Sequence, residues 1–288
     1  MSLFGARYPI VQAPMATVQP PSLAAAVSNA GALGTIAGAA LTADELRAAI
    51  REVRAATPAP FGVNLFAPPY MREDALGVVL DERPAVFSFT FGLVDPGPLQ
   101  ERGIAVAGTA TTAEEAAFLE SSGVDAVVAQ GAEAGGHRGT FLGSFEDGLV
   151  PLADLLASID VAVPVIAAGG IVDGAGIRRA LELGASGAQL GTAFLFTPEC
   201  GRPRDYLDVL RTYDTVVTSA YTGRHMRAAR TPLLEELMRE EPLPFPQQRA
   251  ESAKRGPLYM GGTGARQARE LPIAELVRVL VAEADLSS

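Results

Sequence analysis

The chain has 288 residues, 48% of them hydrophobic, which suffices for one large α/β barrel or two smaller domains and excludes global disorder. A formal charge of −10 with no basic stripe argues against a nucleic-acid partner. A single cysteine, Cys200, excludes an intramolecular disulfide and a Cys-based zinc site, and no apolar run reaches the roughly 18 residues of a membrane span or follows Arg7 as a signal peptide, so a cytoplasmic enzyme is expected.

In chain order, short apolar strands alternate with Ala-rich helices. Residues 8–12 read as a first strand, stopped by Pro14, which removes a ladder donor. Ser22 is the expected cap of a helix to about residue 30. Residues 33–36 form a second strand. Thr42 with Glu45 three residues on fits a capping box. A third strand, 61–66, is ended by Pro68-Pro69 and followed by helical character over 72–81. Strands at 85–90 and 104–107 follow, with a short helix after Pro98 between them. Thr112 caps a helix with Glu114 and Glu115 in its first turn, which suits the macrodipole. The sixth strand, 126–130, runs into a long loop reaching about Pro151, and loops of that length are usually functional. Strands at 163–168 and 188–190 complete the series, with Asp173 capping the helix between them.

Eight strands of nearly continuous apolar character, each followed by a crossover, predict an α/β (β/α)8 TIM barrel. A doubly wound sheet is the alternative, but it calls for a Gly-rich fingerprint after the first strand, and none is there. Residues 201–257 break the rhythm with Arg202, Arg204, Arg211, Arg224, Arg227 and Arg230 and the cluster Pro242, Pro244 and Pro246. The expected organisation is a barrel of residues 1–200 and 258–288, with 201–257 as a mostly helical insertion or cap. The helix at 273–284 would close the outer ring.

Chemistry is expected where strands end in loops. The stretch from Val127 to Gly139 carries four glycines and presents Gln130, Glu133, His137 and Arg138 within nine residues. His137 could be a loop histidine or an acid, a base or a cation at the site. Glu133 could orient it or cap the loop, and Arg138 could attract an anion or be solvated. His225 reads as a surface residue. Gly169-Gly170 and Gly191-Thr192 place backbone N–H groups at adjacent strand ends, the recurring phosphate position of barrels; glycines that merely end strands are the alternative. Asn64, Gln130 and Gln189 are amides in apolar strands. They either satisfy one another or share a flat, hydrogen-bonding ring as partner. Two distant histidines give no metal-ligand spacing, and no G-x-S-x-G elbow is present.

The residues Gln12-Ala13-Pro14-Met15, Phe61-Gly62-Val63-Asn64, Gln130-Gly131-Ala132-Glu133-Ala134-Gly135-Gly136-His137, Ala167-Ala168-Gly169-Gly170 and Gly187-Ala188-Gln189-Leu190-Gly191-Thr192, in this order, resemble the nitronate monooxygenase family of FMN-dependent barrels. The resemblance implies FMN as cofactor. Ala13, Pro14 and Met15 would lie against its ring, and Asn64, Gln130 and Gly135 would be in contact with it. Gly169, Gly170, Gly191 and Thr192 would hold the phosphate, with Gln189 beside it. His137 would be the catalytic residue. The implied reaction is oxidation of an alkyl nitronate, or a nitroalkane, by O2, giving nitrite and a carbonyl compound; a homodimer is among the assemblies left open. The chain departs from the family pattern at Thr17-Val18-Gln19 and at Met260-Gly261-Gly262-Thr263, and it has no tryptophan. Two alternatives stand beside this one: an FMN-dependent NAD(P)H:quinone or enoyl reductase on the same scaffold, and a non-catalytic nucleotide-binding protein.

Overall fold

A computed structural model describes residues 3–286. Eleven strands follow in chain order: β1 Ile10–Gln12, β2 Gly34–Ala37, β3 Phe61–Phe66, β4 Val86–Thr90, β5 Ala105–Ala110, β6 Ala126–Gln130, β7 Gly136–His137, β8 Val165–Ala168, β9 Gly187–Leu190, β10 Thr215–Thr218 and β11 Met226–Ala229. Eight of them form one parallel sheet in the order β1-β9-β8-β6-β5-β4-β3-β2. Val11 bridges Leu33, with Leu33 N–H donating to Ile10 at 2.8 Å and Gln12 N–H to Leu33 at 2.9 Å, which brings β1 to β2 and closes the barrel. All eight predicted barrel strands are present, shifted by no more than a few residues at their ends.

The barrel interior is filled by Val11, Leu33, Val86, Ala107, Ala126, Val128, Ile166 and Ala168, with Leu3 and Ala6 packed into the same cluster. Inward side chains fill a small barrel as a packed core, so it is no pore. The outer helices form for local reasons. In Ala43–Ala56 the buried Leu46, Ala49, Ile50 and Val53 stand at i, i+3, i+4 and i+7, one face of a helix. Its capping box is complete: Glu45 N–H donates to Thr42 Oγ1 at 3.3 Å, and Thr42 N–H to Glu45 Oε2 at 2.8 Å. Thr112 and Asp173 also cap as expected. Ser22 does not. That helix spans Pro21–Asn29 with Pro20 at its N-cap, because a proline's missing N–H costs nothing in a first turn. Helix Ile273–Glu283 packs between Gly174–Glu182 and Pro21–Asn29 and fills the last place in the outer ring.

Residues 201–257 hold helices Arg204–Thr212, Pro232–Leu237 and Gln247–Ala253. They also hold a hairpin that the sequence pattern did not show: β10 and β11 pair antiparallel, and β11 pairs with β7, setting Met226 opposite His137 and Arg227 opposite Gly136. The loop after β6 thus supplies the third strand of this small sheet. Among the described residues no helix is long and apolar enough to cross a membrane.

Candidate active site

Strand register brings distant residues level. Ala168 faces Gln130 on one side and Gln189 on the other, and Gln189 faces Val11; Asn64 faces Ser88. At this end of the barrel lies a cavity of about 530 Å³. Ala13, Pro14, Met15, Asn64, Gln130, Gly135, His137, Gly169, Gly170, Gln189, Gly191 and Thr192, the twelve residues singled out from the sequence, all line it.

One end of the cavity is built from backbone. Gly169 and Gly170 have φ of +126° and +70°, a region closed to most side chains. The N–H groups of Gly169, Gly170, Gly191 and Thr192 donate to no protein group among the described residues. Such orphaned donors at adjacent strand ends fit an anion of phosphate type. A third glycine loop joins them. Gly261, Gly262 and Gly264 line the cavity, Thr263 N–H donates to Glu133 O at 3.1 Å, and Gly262 N–H donates to Thr192 Oγ1 at 2.9 Å. A Cβ on Gly135 would lie 2.5 Å from Gly261 C and Gly262 N, so the approach of these loops requires glycine. The 260–264 loop, read from the sequence only as a departure from the family pattern, packs against the proposed phosphate loops.

The amides divide. Asn64 Nδ2 donates to Ser88 Oγ at 3.0 Å, and its side-chain Oδ1 accepts no hydrogen bond among the described residues. Gln189 makes no side-chain hydrogen bond among the described residues. Gln130 is largely spent on its own loop, donating to His137 O at 3.0 Å and accepting from Gly139 N at 2.8 Å. Two amides with unused capacity and one with a spare N–H fit a ring that both donates and accepts. Beneath the Pro14–Met15 loop, Gln19 accepts from Gln12 Nε2 and from Met15 N–H, both at 2.8 Å, and donates to Thr35 O at 2.7 Å. Gln12 accepts from Thr35 N–H at 2.9 Å. The buried Gln12 and the partly buried Gln19 together fix the loop. Gln19, read from the sequence only as a departure from the pattern, is one of its supports.

The other end is built from side chains. His137 lies among Phe66, Phe91 and Phe245, with ring centroids at 6.4, 5.9 and 5.5 Å, and Tyr70 sits 5.1 Å from Phe245. These rings come from four separate segments, so nothing local in the sequence announced them. Thr222 settles the tautomer of His137. The Thr222 hydroxyl donates to Arg224 O at 2.6 Å, so at 3.2 Å it can only accept from His137 Nε2. Nε2 therefore carries the hydrogen and Nδ1 keeps its lone pair. Burial first, then the charges of Arg249 and Arg224, push this imidazole down to about 3, so it is neutral at physiological pH.

Two expectations, for Arg138 and His225, are corrected, and of its two alternatives Glu133 takes the capping one. Arg138 neither meets substrate nor faces solvent: it is 1% exposed and donates to the carbonyls of Gly131, Gln130 and Gly148 at 2.6, 2.8 and 2.9 Å. Burial and the nearby Arg227 lower it to about 10, still cationic at neutral pH. It ties the long loop into a knot, because three carbonyls that turn inward need a donor. Glu133 does not touch His137; both carboxylate oxygens accept from Leu152 N–H, capping helix Leu152–Ser158. His225 is no simple surface residue, since it stacks on Phe145 with centroids 3.3 Å apart, away from the cavity. Cys200 is buried as expected, and burial raises its thiol to about 11, unfit for a nucleophile.

The comparisons with known proteins point to one family. Residues 1–77 and 70–283 match the family model described as nitronate monooxygenase. The chain is 42% identical to the nitronate monooxygenase of Pseudomonas aeruginosa, covering 98% of this chain and 97% of that protein. It is 39% identical to that of Paraburkholderia phytofirmans, covering 98% and 94%. Among solved structures, nitroalkane oxidase from Streptomyces ansochromogenes superimposes with a TM-score of 0.91 at 37% identity, covering 98% of this chain and 97% of that one. FabK from Thermotoga maritima follows at 0.84 and 31%, covering 98% and 94%. A match along nearly the whole chain, together with the glycine loops and the His137 wall in one cavity, places this protein in the nitronate monooxygenase family of flavin-dependent oxidoreductases.

Proposed function

We propose that this protein holds FMN in the barrel cavity and oxidises alkyl nitronates with O2, releasing nitrite and a carbonyl compound. The observation that carries this reading is the set of four unpaired N–H groups at one end of a cavity whose other end presents a neutral His137. In it, Gly169, Gly170, Gly191 and Thr192 take the phosphate, with Gln189 beside them. Ala13, Pro14 and Met15 form one wall against the ring, and Asn64, Gln130 and Gly135 meet its edge. Residues 1–200 and 258–288 act as the barrel and 201–257 as the cap. The flavin accepts electrons from the substrate; the protein supplies position and electrostatics.

The chain's own groups decide the form of substrate. A nitronate is already an anion and needs no base. A neutral nitroalkane must lose a Cα proton, and Nδ1 of His137 is the lone pair available to take it. An imidazole held down near 3 is a weak base, which favours the nitronate. The aromatic wall of Phe66, Phe91 and Phe245 suits an alkyl group and excludes water from it.

The test is anaerobic mixing of the flavin-loaded protein with a nitronate, followed by admission of O2. Flavin bleaching and then nitrite release are expected, and chromatography of the released cofactor should return FMN. A second reading draws on the likeness to FabK: a reductase taking electrons from NAD(P)H. Bleaching by NADPH, with no nitrite from any nitronate, would establish that reading instead.

A further inference from the structure

This inference rests on the nitronate reading. The cavity is lined by one fully ionised side chain: Arg249 is present, and no aspartate, glutamate or lysine accompanies it. Arg249 lies on helix Gln247–Ala253, four residues after Phe245, whose ring is 5.5 Å from that of His137. Its guanidinium donates to Thr17 Oγ1 at 3.0 Å and pairs with no carboxylate among the described residues. By contrast Arg47, Arg204, Arg211 and Arg255 each meet carboxylates, as surface arginines of an acidic protein readily do. A guanidinium has five N–H donors, so most of Arg249's capacity is unused.

The other nearby groups cannot offer positive charge. His137 directs Nε2–H at Thr222 and leaves a lone pair on Nδ1. Arg224 is turned away: it donates to Thr140 O at 2.7 Å and lies 3.9 Å over the Phe91 ring, behind the wall. Arg138 and Arg227 are engaged with loop carbonyls. An anion entering this apolar cavity has one cation to meet.

We propose that Arg249 receives the anionic oxygens of the nitronate and thereby selects the nitronate over the neutral nitroalkane. The planar guanidinium fork matches two oxygens on one nitrogen as it matches a carboxylate. Its Thr17 contact aims the side chain from the cap toward the barrel. Thr17 is held at φ +65°, a conformation rare for a β-branched residue.

Inorganic nitrate, a planar anion with the geometry of a nitro group, is the probe. Flavin-loaded wild type, Arg249→Gln, Arg249→Lys and Thr17→Ala are compared by nitrate titration of the flavin spectrum and by KM for a small nitronate. Loss of a charged hydrogen-bonding partner should weaken nitrate binding and raise KM about 10- to 100-fold in Arg249→Gln. Arg249→Lys should recover part of both. Thr17→Ala, which keeps the charge, should retain nitrate binding within about threefold. Unchanged nitrate binding in Arg249→Gln overturns the proposal. So does an equal loss in Thr17→Ala, which would make Arg249 a latch only. If Arg249→Gln loses its flavin, the Lys and Ala variants decide between charge and latch alone. Should the wild type bind nitrate through Arg249 yet release no nitrite from nitronates, the anion site stands while the nitronate reading falls.

Discussion

The two ends of the cavity are made of different materials. At Gly169, Gly170, Gly191 and Thr192 the groups at the cavity are backbone N–H donors, set by loops that pack glycine against glycine. At His137, Phe245 and Arg249 they are side chains, several of them carried by a cap that is separate in sequence from the barrel. The first end can be disturbed only by adding atoms. The second changes freely by substitution. The chain resembles both a nitroalkane oxidase and FabK over nearly its whole length.

The sharpest way to test that division is His137→Asn. With a nitroalkane, kcat/KM should fall about 10²- to 10⁴-fold as the Nδ1 base is lost. With the preformed nitronate the loss should be about tenfold or less, and the flavin should stay bound. Equal losses on both substrates would show that His137 does more than take a proton. Gly135→Ala attacks the opposite end. Its Cβ must displace Gly261 and Gly262, and overpacking of about 1–3 kcal/mol should weaken flavin retention about 10- to 100-fold, read by equilibrium dialysis. Side-chain substitutions at Phe245 should leave that value alone.

Arg138→Met should act on both ends at once through the loop. Three buried carbonyls lose their donor, and about 3 kcal/mol of stability should go in urea unfolding. The last prediction concerns pH. The folded imidazole of His137 is held near 3, whereas the unfolded one titrates near 6.5. As pH falls from about 6.5 toward 3, the unfolded chain takes a proton that the folded chain refuses. The stability this group contributes is therefore complete above about 6.5 and lost on acidification. The stability difference between wild type and His137→Asn should change over that window, and nitronate turnover should show no acid limb from His137 above about pH 4. An imidazole resonance titrating near 6.5 would contradict the neutral assignment.

Much of the fold could be read from the sequence because each barrel strand is a continuous apolar run and each cap at Thr42, Thr112 and Asp173 is a local interaction. The glycine end was legible for the same reason, since strand, glycines and helix follow one another within a few residues. The side-chain end was not. Phe66, Phe91, His137 and Phe245 meet only after the barrel closes and the cap folds over it. Arg138 misled because its neighbours are glycines and polar residues, while the carbonyls it serves belong to turns that no periodicity reveals. Ser22 lost its capping role to Pro20 and Pro21, whose geometry starts the helix unaided.

The antiparallel pairing of β11 with β7 limits how this protein can be re-engineered. The cap cannot be exchanged as a free-standing module, because its edge strand supplies the ladder that holds His137 in place. A transplanted hairpin that arrived one residue out of step would take Met226 from its place opposite His137 and turn its own side chains to the other face of the sheet. Shape complementarity over the cavity would not rescue it. Any chimera must therefore inherit its hairpin and its histidine loop from the same parent.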